Sequence, residues 1–541
     1  MEIKNSKYMI RLPLLLCVAI AAGILIGANM TSPIGSKSDV VSSIFKFREI
    51  LNYVDRNYVD EVETDELVET AISSMLEKLD PHTVYLPAKE HEYSKSELEG
   101  NFDGIGIEFN IFRDTIYVVA PLSGGPSEEI GLLSGDKIVK VDGENVAGIG
   151  IKNRGVFDRL RGPKGSEVKV SIKRRNVSDL LKFSIVRDKI PQFSMDAAYM
   201  VDHEIGYIKI SRFSATTYDE FKEGLDTLTE VGMKKLVLDL TGNPGGYMDK
   251  AIKMADEFLS GDPMIVFTKG KELRYNQEHR AGKDGNFEKG GLIVLIDEGS
   301  ASASEIVSGA VQDNDRGLIV GRRSFGKGLV QLPMELSDGS ELRLTISRYY
   351  TPSGRSIQKS YENGQKDYYQ DGFHSRYSKG EMFSADSIKL NDSLIFETAK
   401  GRTVYGGGGI VPDYFVALDT VGNSAYLNRL FTSSTIREYA LEYSQNNREK
   451  LENRGFEKFK DNFSVTKNML NDLVDLGKRN GLDFNEEQFN HSKKLIKTYV
   501  KAQIARGIWK SDGFYPIYNE TNEIFQRALQ LFDEADQLAS K

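Results

Sequence analysis

Apolar residues near the start of the chain recur with helical spacing. From Asp39 to Val59 they follow one another every three or four positions, and a second run of this kind begins at Thr64 and stops before Asp80-Pro81. Because proline disfavours helical geometry in the residue before it, the second helix has to end there. The pattern predicts a small helical module that serves as a packing or dimerisation surface.

The middle of the chain changes to other periods. Short alternating strands with glycine turns fill residues 104–188, and from Glu204 strands alternate with helices, as in IGYIKISRF, TTYDEFKEGLDTLTEVG and KKLVLDL. Strands that alternate with helices over short connections favour crossover units on a largely parallel sheet. We therefore predict a small β-rich domain followed by an αβ core.

The last third of the chain adds further elements. LVQLPMEL and ELRLTISRYY have the composition of strands, and GGGGIVPDYFV returns to the sheet. Residues 361–400 are polar and rich in tyrosine and glycine, which predicts a surface insertion. Residues 424–541 are charged and amphipathic, so we predict a helical extension with a role in packing or in a homo-oligomer.

The first residues have the character of an export or anchor segment. Three basic residues precede the apolar run Leu12–Ala28, which is long for a signal peptide and short for a membrane helix. A cleaved signal and an uncleaved anchor both fit, and the length favours the anchor. Because basic residues before such a run keep the N-terminus in the cytoplasm, we expect the bulk of the protein in the cell envelope, on the periplasmic side of the inner membrane.

The composition limits the partners and the catalytic groups that the protein can use. The 541 residues carry a net charge of −9 without a long basic run, which argues against a nucleic-acid partner. Cys17 is the one cysteine, and no two of the six histidines lie three to five residues apart, so we expect no metal and no cofactor. An enzyme of this composition has to use oxygen nucleophiles, carboxylates or lysines.

Two glycine-rich segments follow predicted strands of the αβ core, DLTGNPGG at 239–246 and GSASASE at 299–305. Small residues around a serine at a strand-to-helix turn leave room for a substrate backbone and direct free N–H groups at developing negative charge. This arrangement suits acyl transfer. Alternatively, Ser300, Ser302 and Ser304 are only helix-capping residues.

Lys327 supplies a base for such a serine. It lies between Gly326 and Gly328, where another backbone can approach closely. Burial can lower the pKa of a lysine far enough for the neutral amine to accept a proton near neutral pH. A serine–lysine dyad would allow a histidine-poor chain to cleave amides. The alternative is an ordinary solvated lysine in a loop.

The Lys327 segment also resembles two other sequence motifs. Residues 321–327 match a phosphate-binding P-loop up to the lysine, but Gly328 stands where the magnesium-binding Ser/Thr would be. Ser324-x-x-Lys327 matches the S-x-x-K of penicillin-recognising enzymes, but the glycines disfavour its helix, and neither SDN nor KTG occurs. We reject the first and keep the second as a weak alternative.

The runs GSASASEIVSGAVQD, GRRSFGKGLVQ and RYYTPSGRSIQ resemble the carboxyl-terminal processing (tail-specific) peptidases, serine proteases with a Ser/Lys dyad and an embedded PDZ domain. Further matching motifs are LDPHTVYLP, FDGIGIEF, GLLSGDKIVKVDG, LRGPKG, LDLTGNPGG and GGGGIVPD. The resemblance covers residues 40–415 in the family's order. One departure is Thr241, where the family has arginine or asparagine.

The resemblance implies roles for individual residues. Ser302 would be the nucleophile, Lys327, 25 residues later, the general base, and Gln331 the residue that positions the lysine amine. The oxyanion would be bound by the backbone N–H of Ala303 and of either Gly245 or Gly246.

The same resemblance makes the β-rich region a PDZ domain. Its loop Gly104-Ile105-Gly106-Ile107 would receive the terminal carboxylate of a peptide that adds as a strand. Arg161 is a candidate link between this domain and the active site, although a surface arginine at a helix end is an equally simple reading.

We thus expect a multidomain α/β (α+β) serine endopeptidase that binds and cleaves proteins near their C-termini. The predicted parts are a membrane segment (1–30, membrane contact through 12–28), a helical module (31–88), a PDZ domain (89–188), a peptidase core (189–423, insertion 361–400) and a helical extension (424–541). The rival is a catalytically silent scaffold protein that binds peptides through its PDZ domain.

Overall fold

The computed structural model describes residues 16–23 and 37–540, except 123, 283, 363, 371 and 419–421. The chain divides into two compact units, residues 1–75 and 76–541. The described part of the first unit consists of helices: α1 (16–23), α2 (Lys37–Asn57) and α3 (Thr64–Leu76), which ends at the unit boundary. The two helical patterns in the sequence are therefore present as α2 and α3.

The apolar run Leu12–Ala28 lies mostly outside the described residues, since only residues 16–23 of it are described. Within the described ranges, every helix is too short or too polar to cross a membrane.

The second unit begins with β1 (Val84–Leu86), α4 (Ala88–Glu99) and β2 (Asn101–Gly104), which lead into the β-rich domain. Its sheet has the order β3-β4-β5-β7-β8, with β6 paired to β5. The elements are β3 (Ile107–Phe112), β4 (Thr115–Pro121), α5 (Pro126–Glu129), β5 (Lys137–Val141), β6 (Glu144–Asn145), α6 (Asn153–Leu160), β7 (Glu167–Lys173) and β8 (Leu181–Val186). Strand β9 (Asp188–Pro191) leaves the domain and pairs with β2, so entry and exit lie side by side.

A six-stranded sheet, in the order β10-β11-β12-β15-β16-β21, forms the αβ core. All its pairs are parallel except β10–β11, as the alternating pattern predicts. The strands are β10 (Met195–Met200), β11 (Ile205–Ile210), β12 (Lys235–Asp239), β15 (Leu292–Ile296), β16 (Leu318–Gly321) and β21 (Tyr414–Phe415). Because both faces of a parallel sheet are covered, β15 is apolar and buried along its whole length.

Two sets of helices cover this sheet. On one face lie α7 (Thr217–Glu230), α8 (Met248–Asp256) and α9 (Ala303–Asp313), whose apolar residues share one core with the strands. On the other face lie α19 (Glu523–Leu529) and α20 (Phe532–Ser540), from the far end of the chain. The last part of the predicted helical extension therefore packs on the αβ core.

The strands predicted at LVQLPMEL and ELRLTISRYY do not extend the parallel sheet. They are β17 (Leu329–Glu335) and β18 (Glu341–Tyr350), an antiparallel hairpin joined by a short turn. Together with β1, β13 (Met264–Gly270) and β14 (Gln277–Arg280) they form a separate antiparallel sheet. A hairpin fits such a sheet because its strands need no crossover helix.

The insertion at 361–400 contains α10 (Gln365–Gln370), α11 (Phe373–Ser378) and β19 (Ile395–Glu397), which pairs with β20 (Thr403–Tyr405). It is more than a surface feature, since Tyr368, Arg376 and Met382 are buried.

The remaining helices of the extension surround a core of their own. They are α12 (Ala425–Thr432), α13 (Thr435–Asn446), α14 (Arg448–Arg454), α15 (Phe456–Asn462), α16 (Lys467–Arg479), α17 (Glu486–His491) and α18 (Lys493–Tyr518). This helical body also touches the β-rich domain, where Leu441 packs with Phe112 and Tyr117, and Arg506 forms an ion pair of 3.0 Å with Glu108.

A cavity in the core of the parallel sheet should lower the free energy of unfolding. Phe221 on α7 is fully buried and meets the Phe258 ring at 5.8 Å. We expect Phe221→Ala to lower the free energy of unfolding by about 3–5 kcal/mol, because it removes the ring and leaves a cavity. Urea denaturation followed by circular dichroism measures this loss.

The matched control is Phe193→Ala, because Phe193 is exposed. We expect it to change the free energy of unfolding by less than about 0.5 kcal/mol. Equal losses in the two variants would contradict the packing described for α7.

Candidate active site

Ser302 lies at the turn between β15 and α9, directly before the first residue of the helix. Its backbone has φ 56° and ψ −110°, a conformation that residues other than glycine seldom adopt. The surrounding loop holds the serine at the carboxyl edge of the parallel sheet, where open α/β sheets bind their ligands.

The loops after β12 and β15 are tied together at this edge. The Ser300 hydroxyl donates to the carbonyl of Leu240 at 2.8 Å, and the Ser304 hydroxyl donates to that of Asn243 at 3.0 Å. The Ala301 N–H also donates to the carbonyl of Asn243, at 2.9 Å. The capping alternative thus holds for Ser302, the N-cap residue of α9, whereas Ser300 and Ser304 fix the two glycine-rich segments to each other.

The approach of these segments depends on glycine. A Cβ added to Gly245 would lie 2.8 Å from the Ser302 Cβ and 2.9 Å from the Ala303 nitrogen. One at Gly246 would lie 2.0 Å from the carbonyl oxygen of Phe213. A side chain at Gly245 would therefore push the NPGG segment away from the serine, and one at Gly246 would push it away from Phe213.

The predicted oxyanion donors differ in what they bind. The Gly245 N–H donates to Asn243 Oδ1 at 2.9 Å. The N–H groups of Gly246 and Ala303 make no hydrogen bond with any residue in the described ranges. Between the two glycines, Gly246 is thus the one whose amide is available to a ligand.

Lys327 lies in the loop between β16 and β17, beside the same cleft. Its Nζ donates to Gln331 Oε1 at 2.9 Å. Burial, followed by the positive charge of Arg343, lowers the pKa of Lys327, while the carboxylates of Glu305 and Asp80 oppose this effect. Such an environment favours the neutral amine that a general base requires.

Ser302 and Lys327 line one cavity of about 990 Å³. Gly245, Gly246 and Gln331 line it too. The structure thus brings together the predicted nucleophile, base, positioning glutamine and glycines.

Gln331 is held by the LDPHT motif. Its Nε2 donates to the backbone carbonyl of His82. The turn that presents this carbonyl is fixed by Asp80, whose Oδ1 accepts the N–H of His82 at 2.8 Å and that of Thr83 at 2.9 Å. Because its Nε2 is committed to His82, the Gln331 amide directs its oxygen at Lys327.

The His82 ring is no general base at this site. Burial and then the charge of Lys327 lower the pKa of the ring to about 3, so the ring accepts a proton only weakly. Its Nε2 forms a hydrogen bond of 2.8 Å with the Tyr368 hydroxyl.

Sequence reasoning missed Glu305, which is completely buried beneath the cleft. Its carboxylate accepts the N–H groups of Ser302 at 2.7 Å, Gly326 at 2.7 Å and Lys327 at 2.9 Å, and the Ser324 hydroxyl at 2.5 Å. Burial raises its pKa against these hydrogen bonds. The sequence signal was the spacing S-x-x-E of a capping box, from Ser302 to Glu305.

Tyr349 on β18 was also missed. Its hydroxyl lies 2.5 Å from the carbonyl oxygen of Lys327 and 3.1 Å from that of Ser302. This fully buried tyrosine belongs to the antiparallel sheet, and its hydroxyl joins the loop of Ser302 to the loop of Lys327.

The geometry excludes the penicillin-recognising alternative. Ser324 is fully buried, where it donates to Glu305 and accepts the N–H of Ile410 at 2.7 Å. Residues 322–328 also form no helix, so Ser324 and Lys327 are not stacked one turn apart. Ser324 is therefore a structural residue.

The predicted peptide-binding residues lie apart from this cavity. Ile105 is buried, Gly106 has φ 71°, and Ile107 begins the edge strand β3. The free side of an edge strand can accept an added peptide strand. Gly104, the first residue of this loop, is also the last residue of β2.

Arg161 does not reach the cavity. Its guanidinium lies 4.4 Å from the ring centre of Phe102 and 4.5 Å from that of Phe157, and Nη1 donates to Ser96 Oγ on α4 at 3.3 Å. Helix α4 in turn lines the cavity through residues such as Ser94. The arginine thus contacts an element shared by the two regions.

Across the described ranges, no group of three or more His, Cys, Asp or Glu side chains is arranged to hold a metal ion.

Four segments match known families. Residues 204–366 match Peptidase family S41, 117–174 a PDZ domain, 28–90 the Activating protease CtpB N-terminal domain, and 426–510 a family of unknown function.

Curated relatives agree with these matches. A carboxy-terminal-processing protease of Bartonella bacilliformis is 37% identical over 327 residues, 60% of this chain and 74% of the relative. The carboxy-terminal processing protease CtpA of Bacillus subtilis is 32% identical, over 63% of this chain and 72% of the relative. Among solved structures, a photosystem II D1 C-terminal processing protease is 28% identical with a TM-score of 0.33, over 58% of this chain and 89% of that chain. The chain belongs to the carboxy-terminal processing proteases, serine-type peptidases of family S41.

Proposed function

We propose that Ser302 and Lys327 form the catalytic dyad of this peptidase. The single observation that carries the proposal is that one cavity is lined both by the serine at the start of α9 and by a lysine of lowered pKa. Glu305 supports the pair, because it accepts hydrogen bonds from the backbone of both residues.

In the proposed reaction, the Ser302 hydroxyl oxygen attacks the carbonyl carbon of the scissile peptide bond while the neutral Lys327 amine takes the hydroxyl proton. The tetrahedral intermediate then collapses, the C–N bond breaks, and the lysine ammonium returns its proton to the leaving amine. Lys327 then deprotonates a water molecule whose oxygen attacks the carbonyl carbon of the serine ester. The C–O bond to Ser302 breaks, and the lysine ammonium returns the proton to the serine oxygen.

The developing oxyanion would be bound by the N–H groups of Ala303 and Gly246, which are available to a ligand. Backbone amides fixed in position before the reaction stabilise such a charge without having to reorganise. Gln331 would accept one N–H of the lysine amine and so leave its lone pair to the serine.

We further propose that substrates are proteins captured by their C-termini at the loop Gly104–Ile107 of the PDZ domain. An open β3 edge next to this loop supports the idea, because a peptide can pair with it as a strand. The site of action would be the periplasmic side of the inner membrane, with residues 12–28 as the membrane contact. A homo-oligomer stays a prediction.

Removal of either dyad member should abolish cleavage. We expect Ser302→Ala and Lys327→Ala each to lower kcat on fluorescein-labelled casein by about 10⁴-fold or more, because the nucleophile or its base is lost. Circular dichroism should show that both variants remain folded.

Ser260→Ala and Lys271→Ala serve as matched controls, since both residues are exposed. We expect them to leave kcat unchanged. A folded Ser302→Ala or Lys327→Ala variant of wild-type activity would refute the dyad. A wild-type protein that binds C-terminal peptides and never cleaves them would instead favour the scaffold.

The pH dependence of kcat/KM should follow the ionisation of Lys327. Because only the neutral amine of Lys327 accepts a proton, kcat/KM should rise with pH through its pKa and then level off. Arg343 lines the cavity, and its charge lowers this pKa. Arg343→Gln should therefore move the rising limb to higher pH.

Arg343→Lys keeps the positive charge and is the control, for which we expect a smaller movement. The limbs are measured as log(kcat/KM) against pH. A limb that stays in place or moves to lower pH in Arg343→Gln would show that another group controls the profile.

Capture by the PDZ domain should require a free carboxylate. We expect the Ser302→Ala protein to bind a peptide with a free C-terminus about 10-fold more tightly than the same peptide with a C-terminal amide, because hydrogen bonds to a charged group contribute about 1.5–3 kcal/mol. Fluorescence anisotropy measures both affinities. Equal affinities would show that the loop does not read the carboxylate.

A further inference from the structure

We propose that the insertion 361–400 is a positioning element for the catalytic lysine, acting through Arg376 and Tyr368. The inference rests on the proposed dyad. Two backbone segments determine where the Lys327 amine lies: the lysine loop (residues 322–328), which carries it, and the DPHT turn (residues 80–83), which orients Gln331. The insertion contacts both.

Arg376, on α11, binds the lysine loop through the backbone carbonyls of the loop. Its guanidinium donates to the carbonyls of Arg323 at 2.9 Å, Ser324 at 2.9 Å and Phe325 at 3.2 Å. Three successive carbonyls of one loop thus point at a single buried cation. The planar fork of an arginine suits this arrangement, whereas a lysine ammonium cannot reach all three.

The other side of the same loop is held by Glu305. The amides of Gly326 and Lys327, directly after the carbonyls that Arg376 binds, donate to its carboxylate. The lysine loop is thus held between a buried cation on its carbonyl side and a buried anion on its amide side. Since Glu305 also accepts the N–H of Ser302, a shift of the loop would change the geometry of the dyad.

Glu381 keeps Arg376 in place. It forms a bidentate ion pair with Arg323, at 2.7 Å for both bonds, and lies 3.7 Å from Arg376. The carboxylate of the insertion therefore binds the lysine loop through Arg323 and, at the same time, balances the charge of Arg376.

Tyr368, on α10, holds the DPHT turn. Its hydroxyl is bonded to His82 Nε2 at 2.8 Å, and the neighbouring Tyr369 hydroxyl donates to the carbonyl of Pro81 at 2.7 Å. Lys359 connects Tyr368 to the lysine loop. Its Nζ donates to the Tyr368 carbonyl at 3.0 Å and lies 4.2 Å from the centre of the Phe325 ring. The turn whose carbonyl fixes Gln331 is thus braced by the insertion.

The test compares Arg376→Lys, Arg376→Ala and Tyr368→Phe in the full chain, with labelled casein as the substrate. We expect Arg376→Ala to lower kcat about 100-fold, since a misplacement near 1 Å costs about that much, with little change in KM. Arg376→Lys should recover part of this loss. Tyr368→Phe should lower kcat about 10-fold, because one buried hydrogen bond is lost.

Two readouts separate positioning from general stability. A loosened lysine loop should exchange its amide hydrogens faster over residues 323–331. It should also expose Lys327 to water, so the rising limb of the pH profile should move to higher pH. A purely structural role would lower the melting temperature and leave the profile of the folded enzyme unchanged.

Arg402→Lys is the matched control. Arg402 lies next to the insertion and pairs with Asp315 at 2.5 Å and Asp413 at 2.8 Å, away from the lysine loop. We expect it to lower the melting temperature without changing kcat or the pH profile.

The outcomes are decisive. Folded Arg376→Lys and Tyr368→Phe proteins with wild-type kcat and an unmoved pH limb would overturn the proposal, even if Arg376→Ala fails to fold. Ser302→Ala in the same assay keeps the two ideas apart. If it is inactive while the insertion variants are normal, only the positioning role fails. If it remains active, the dyad itself fails.

Discussion

The structure of the site depends on one buried carboxylate. Glu305 takes four hydrogen bonds, three of them from the backbones of Ser302, Gly326 and Lys327. A carboxylate without partners would be very costly in such a buried place, so each of these donors is strongly favoured. The backbones of the two residues of the proposed dyad, 25 residues apart in the chain, are thereby held by the same carboxylate.

The halves come from different sheets. The parallel sheet presents Ser302 at its carboxyl edge, whereas Gln331 lies on β17 of the antiparallel sheet and Lys327 lies in the loop that leads into β17. Tyr349 bridges the loops of the two sheets. The cleft is therefore lined by residues that belong to both sheets and their loops, and its geometry depends on how rigidly the loop between β16 and β17 is held.

Local patterns predicted much of this architecture. The alternation of strands and helices gave the parallel sheet, because crossover connections leave a clear periodic signal. The placement of the β17–β18 hairpin in a second sheet left no such signal, since the pairing of β18 with β1 and β13 depends on non-local contacts. The proximity of Ser302 and Lys327 was predicted through resemblance to a family and not from spacing alone. Residues such as Arg376 and Tyr368 were missed because a polar segment looks the same whether it faces water or a catalytic loop.

The helices α19 and α20 cover one face of the parallel sheet with residues from the far end of the chain. During synthesis the strands of that sheet emerge long before these helices do. Until residues 523–540 have followed, Val237, Ile293 and Leu295 lack the apolar cover that these two helices give them. A chain without residues 523–540 would thus leave part of one face of the sheet that presents Ser302 exposed to water.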